Sequence, residues 1–131
     1  MFNLGYLYHH GLGTTRDDAT AIGWYRRAAG RNNVLAQNNL GYFYFNGLGV
    51  ERDLETANRW FRKAASRGYA PAQNNLAYQY LVGSGTKQSL KKAERWFDRA
   101  ARQGHEPSQQ ALLQLKNGEL LLESNAVAAA Q

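Results

Sequence analysis

Few side chains in this 131-residue chain could do acid–base or metal chemistry, and their spacing does not favour catalysis. His9 and His10 are adjacent, so a helix sends them to different faces, while His105 stands alone in a loop-like stretch. No carboxylate–histidine pair and no metal-ligand spacing recurs around them. Cysteine is absent, which excludes disulfides and thiolate nucleophiles. Gly47/Gly49 and Gly83/Gly85 make G-x-G, but a phosphate loop opens a helix after a strand, whereas these end helical patterns. No cofactor or metal is therefore expected, and the chain reads as a non-enzyme. What is left is recognition chemistry. Tyr6, Tyr42 and Tyr78 recur with Asn38, Asn46 and Asn74, and sixteen Lys and Arg against ten Asp and Glu leave a net charge of +6. A basic balance suits nucleic acid, anionic lipid or an acidic partner, and the placement of the charges must decide.

The elements that must position these residues follow from a repeat of 36 residues. Leu4, Leu40, Leu76 and Leu112 keep that spacing, as do all three tryptophans, Trp24, Trp60 and Trp96. Ala28-Ala29, Ala64-Ala65 and Ala100-Ala101 fall on the same lattice. Each period divides into two helical patterns. In the second unit, helix A runs from about Leu35 to Asn46, with Ala36, Leu40, Phe43 and Tyr44 on one face. Gly47-Leu48-Gly49 stops it. Asp53 is placed to cap helix B, as are Asp17 and Ser89 in the other units. Leu54, Ala57, Phe61, Ala64 and Ala65 form the apolar face of helix B. Gly68 and Gly104 end that helix, and Asn32 takes the left-handed place in the first unit. Pro71 and Pro107 suit the first turn of the next helix A, where a missing N–H costs little. The apolar runs are too short to span a bilayer.

One such hairpin cannot bury its own apolar face, so neighbouring units must share a core. Small residues after the repeated Leu (Gly5, Gly41, Ala77) and the Ala pairs allow close helix approach, with Trp and Tyr expected to fill the space beside them. Each Trp is expected to be buried, at a truncation cost of about 3–5 kcal/mol.

Each unit reads L-G-x-x-Y, then G-x-G, then A-x-x-W-[YF], then A-A: Leu40-Gly41 with Tyr44, Gly47 with Gly49, Ala57 with Trp60-Phe61, and Ala64-Ala65. This resembles the Sel-one-like repeat, a relative of the tetratricopeptide repeat. The resemblance covers about residues 1–118. It implies an all-α, right-handed α/α superhelical solenoid of helix-turn-helix repeats, about three and a half in number. The expected units are 1–33, 34–69 and 70–105, with a terminal cap helix at 106–118 and a tail at 119–131. It implies helix A on the concave side, helix B on the convex side, no catalytic residues, and an interaction role of the kind seen in bacterial envelope, secreted or signalling proteins. The first residues do not read as a secretory signal. Because Met1 aligns with Gln37, the first helix A starts late, and the chain is expected to be a fragment or a truncated start.

The resemblance to tetratricopeptide grooves also places a second stripe of helix A on the concave face. In unit two this is Asn38, Tyr42, Phe45 and Asn46; in unit one Phe2, Tyr6, His9 and His10; in unit three Asn74, Tyr78, Leu81 and Val82. The expected function is a protein- or peptide-binding scaffold using Tyr6, His9, His10, Asn38, Tyr42, Phe45, Asn46, Asn74, Tyr78 and Leu81, rigid aromatics being suited to gripping a peptide. The competing reading has these residues packing only against the next helix A. Asn39 and Asn75 are expected to bond backbone between repeats. The basic residues cluster on helix B, with Arg27, Lys63 and Arg99 as one ladder. Glu55, Glu94 and Asp98 interrupt them and stacking aromatics do not alternate with them, which weighs against nucleic acid. The alternative to a groove ligand is a structural or self-associating segment, because solenoid ends without polar caps invite a second copy.

Overall fold

The structure, a computed structural model, describes residues 17–118. Among them are six α-helices and no strand: α1 (Asp18–Gly30), α2 (Val34–Asn46), α3 (Leu54–Ser66), α4 (Ala70–Val82), α5 (Leu90–Arg102) and α6 (Glu106–Lys116). Helices α1, α3 and α5 are the B helices; α2, α4 and α6 are the A helices.

The boundaries are set by local chemistry. Asp17, Asp53 and Ser89 hold extended backbone and accept from the N–H of Thr20, Thr56 and Lys92 at 3.0, 3.1 and 3.2 Å. Asn33 caps α2 in the same way, accepting from Ala36 N–H at 2.9 Å. Pro71 and Pro107 lie in the first turns of α4 and α6. Each B helix is followed by a positive-φ residue at the expected place: Asn32, Gly68 and Gly104. Helices α2 and α4 end in left-handed Gly47 and Gly83, and the N–H groups of Leu48 and Ser84 return to Phe43 and Gln79 carbonyls at 3.0 and 2.9 Å.

Packing makes the units one body. One core cluster joins Ile22, Tyr25 and the Ala pair of α1 to Ala36, Leu40 and Phe43 of α2. A second runs from Phe45 through Phe61, Leu76 and Phe97 to Ala111 of α6. A Cβ on Gly41 would lie 2.5 Å from the Phe61 ring, so the small residue there is what lets α2 and α3 close. In the third unit Ala77 takes that place, and Tyr78 meets Phe97 edge-on at 4.9 Å.

The tryptophans depart from expectation. Trp24, Trp60 and Trp96 are half-buried, and the buried aromatics of the B helices are their neighbours Tyr25, Phe61 and Phe97. One residue turns a helix by about 100°, so the position before each buried ring falls at the edge of the stripe that faces the core.

Three periodic tethers between units were not foreseen. Gln37, Gln73 and Gln109 each donate from the amide to the carbonyl of Ala29, Ala65 and Ala101, at 3.3, 3.1 and 3.0 Å. These carbonyls lie at the C-terminal ends of B helices, where intrahelical partners are lacking. Arg67 bonds the Asn32 carbonyl, and Gln103 bonds that of Gly68 at 2.9 Å. The second glycine of each G-x-G abuts the preceding unit: a Cβ on Gly49 would lie 2.5 Å from the Asp18 carbonyl carbon, and one on Gly85 would lie 2.1 Å from the Leu54 oxygen.

Candidate interaction surfaces

Helix α2 presents a stripe at spacings of three and four residues: Leu35, Asn38, Tyr42 and Asn46. Leu35 is 39% exposed, and the other three are partly exposed. Asn38, Tyr42 and Asn46 are thus not sealed off by packing. Asn46 is steadied by donating to the Tyr42 carbonyl at 3.0 Å.

The expectation of an exposed ladder through the third unit is corrected. Phe45, Asn74, Tyr78 and Leu81 are buried, and every residue of α4 from Ala72 to Leu81 is closed to solvent. The cause is packing against the flanking B helices together with side-chain bonds to the neighbouring A helix. Asn38 Oδ1 accepts from Asn75 Nδ2 at 3.1 Å, and Asn74 Oδ1 accepts from Ser108 Oγ at 2.8 Å. Phe45, Tyr78 and Leu81 enter the shared core. Burial also raises the Tyr78 phenol above its ordinary pKa. Asn75 does bond between units, but to a side chain; the backbone links come from the glutamines. Tyr6, His9 and His10 lie outside the described residues, as do both chain ends on which self-association was expected to depend.

His105 begins α6, its Nδ1 2.7 Å from Ser108 Oγ. The single hydroxyl proton of Ser108 goes to Asn74, so the oxygen accepts from His105 Nδ1–H, a tautomer assigned from the bonding pattern. Burial lowers the His105 pKa. Ser108 is completely buried, and its bond to Asn74, not the contact with His105, ties α6 to α4.

The B helices carry a second surface. Arg27, Lys63 and Arg99 lie over the rings of Trp24, Trp60 and Trp96, at 4.9, 5.0 and 4.6 Å from the ring centroids. Arg26 bonds the Tyr44 hydroxyl, and Arg62 bonds that of Tyr80 at 3.3 Å. Aromatic rings therefore do alternate with the basic residues, contrary to the sequence expectation. Each Trp is already covered by its own cation, which leaves it a poor platform for stacking a base. The signal was in the sequence: a basic residue stands three places after every Trp.

A family model described as the Sel1 repeat matches residues 1–33, 34–69 and 70–105. The fold is similar to that of a Sel1 repeat protein from Oxalobacter formigenes, with TM-score 0.83 and 30% identity over 96% of this chain and 55% of that one. It is also similar to a protective antigen of uropathogenic Escherichia coli displaying an SLR fold, with TM-score 0.84 and 36% identity over 99% of this chain and 30% of that one. Helicobacter pylori cysteine rich protein B matches with TM-score 0.69 and 26% identity over 72% of this chain and 71% of that one. The chain spans about half the length of the first and less than a third of the second. A search of curated proteins finds no match. The repeat lattice, the helix order and these matches agree: the chain belongs to the Sel1 repeat family and is an all-α repeat solenoid.

Proposed function

We propose that the chain is a non-catalytic scaffold that binds a protein or peptide partner along the open stripe of α2, with Tyr42 as its aromatic anchor. Sel1 repeats commonly serve protein–protein interaction, which supports the general role. The observation that carries the finer reading is the row of Leu35, Asn38, Tyr42 and Asn46. An apolar residue and a phenol alternate there with amides on a helix held rigid from both sides. Such a row offers an extended peptide van der Waals area and hydrogen bonds at little entropic cost. The row stops at α4, whose surface is taken up by packing, so within the described residues the footprint is confined to α2.

The test is selection of peptides from a random library on the full chain, followed by binding to Leu35→Ser and Tyr42→Ala variants. Loss of binding with unchanged far-UV CD and melting supports the reading. Full binding by both variants refutes it.

A further inference from the structure

The outer face of the third unit differs from both of its predecessors at two positions that are bonded to each other in those units. The wall of each B helix is formed by residues at the same four repeat positions: Thr20, Gly23, Trp24 and Arg27 in α1; Thr56, Arg59, Trp60 and Lys63 in α3; Lys92, Arg95, Trp96 and Arg99 in α5. In the first two units the capping residue is an aspartate, and its carboxylate is held by the threonine of that wall: Thr20 Oγ1 donates to Asp17 at 2.6 Å, and Thr56 Oγ1 to Asp53 at 2.8 Å. Each of these units thus carries a carboxylate at the start of its B helix, and Arg59 acts on that of Asp53. In the third unit Ser89 replaces the aspartate and Lys92 replaces the threonine. The negative charge is lost and a positive one gained in a single step. Nothing at these positions offsets Lys92, Arg95 and Arg99.

The three cations surround a real concavity. A cavity of about 250 Å³ is lined by Tyr80, Lys92, Arg95, Trp96 and Arg99, with no carboxylate in its wall. Lys92 Nζ lies 5.4 Å from the centroid of Tyr80, and Arg99 Cζ 4.6 Å from that of Trp96, so both cations are placed by the aromatic floor. The nearby carboxylates line an adjoining cavity that shares Arg95 with this one: Glu94 and Asp98 stand there with Lys91, and Asp98 pairs with Arg102 at 2.9 Å. We propose that this cavity on α5 docks an acidic peptide segment of a partner protein, its carboxylates held by Lys92, Arg95 and Arg99 and its apolar stems against the open part of half-buried Trp96.

The choice of a peptide over a nucleic acid follows from the same geometry. A nucleic-acid strand needs basic groups tracking its backbone and open rings for its bases. Here the excess of positive charge at these positions is largest in unit three, and Arg99 lies over the Trp96 ring. An acidic side chain needs a guanidinium or ammonium above an apolar floor, and the cavity is of the size of one or two side chains. This site lies on α5 and is separate from the α2 stripe, so either can fail without the other.

The experiment titrates the full chain with a synthetic peptide of alternating Glu and Leu, followed by ¹⁵N NMR of the three indole N–H signals. These are assigned with single Trp→Phe variants. The Trp96 signal is expected to move saturably while those of Trp24 and Trp60 stay, and the Gln-for-Glu peptide to leave all three in place. Lys92→Thr with Arg95→Ala, the first of them unit two's own residue at that place, should weaken binding by roughly tenfold or more. Salt should weaken it as well. Equal movement of all three indoles, equal binding by the variant or by the neutral peptide, or displacement of the acidic peptide by an oligothymidylate at lower concentration overturns the proposal.

Discussion

Gly83 and Gly85 allow one term in the stability of this solenoid to be isolated. Both hold φ of 71°, so an alanine at either suffers the same left-handed strain of about 1–2 kcal/mol. They differ in what the new methyl meets. At Gly83 it lies 3.2 Å from the Gln88 Cβ, a loop side chain that can yield. At Gly85 it lies 2.1 Å from the Leu54 oxygen and 2.4 Å from its carbon, the backbone that opens α3 in the preceding unit. That backbone cannot yield without withdrawing α3 from α4 and breaking the Gln79-to-Leu54 bond of 3.3 Å. Overpacking of this kind adds about 1–3 kcal/mol. Gly83→Ala should therefore cost about 1–2 kcal/mol and Gly85→Ala about 2–5 kcal/mol. Urea denaturation followed by far-UV CD reads both. Because the lost contact joins two units, amide exchange in Gly85→Ala should accelerate first in α4 to α6, and the transition should broaden as the units uncouple. Equal destabilisation by the two substitutions would show that the second glycine serves only its own turn, and would refute the inter-unit contact.

Phe61→Ala should cost about 3–5 kcal/mol and Trp60→Ala clearly less, because the first ring is buried and the second half-open; parallel melts decide, and a larger loss from Trp60→Ala contradicts the packing. Gln73→Leu removes the amide that bonds the Ala65 carbonyl and accepts from Gln103 at 3.0 Å, so it should lower the unfolding free energy by about 1–3 kcal/mol in urea titration, whereas a neutral result would show that water replaces the bond. Thr56 holds the Asp53 carboxylate below its ordinary pKa, first through its backbone N–H and then through its hydroxyl. The folded value is depressed, so this stabilisation is complete above the unfolded aspartate value near pH 4 and is lost as pH falls through the folded one; Asp53→Ala should lower the melting temperature at pH 7 and have less effect at pH 2. Burial depresses His105 in the same direction relative to 6.5, so its contribution is present above that value and lost as pH falls toward the folded pKa. His105→Asn should flatten the melting temperature between pH 7 and pH 5, and an unchanged slope would contradict this.

The sequence was most legible where one unit could be laid over the next. Asp17, Asp53 and Ser89, the left-handed Asn32, and the glycines after α2 and α4 were readable because caps and turns are local chemistry. The Asn38–Tyr42–Phe45 stripe was harder. A helical wheel fixes the angle between two stripes but not which neighbour covers the second, and in a solenoid the adjoining helices do so for Phe45 and for Ala72 to Leu81. The tryptophans misled for a related reason. Size and periodicity suggest core, whereas Phe61 and Phe97 take that place and leave Trp60 and Trp96 beneath Lys63 and Arg99. The second glycine of the turn and the Gln37–Gln73–Gln109 ladder act across units, so no single-unit pattern carries their purpose.

The two inner junctions are not interchangeable. Ile22 of α1 and Phe43 of α2 share an apolar cluster, while their counterparts one period on, Asn58 and Gln79, are buried and bond each other at 3.2 Å. Arg62 in turn donates to Asn58 at 2.8 Å. Were α1 to dock on α4 in place of α2, Ile22 would face the Gln79 amide and strand its polar atoms in a dry interface. Chains built from near-copies are prone to assemble out of order. Here an oily lock at one joint and an amide key at the next give each hairpin an address, so near-identical units still stack in only one order along the array.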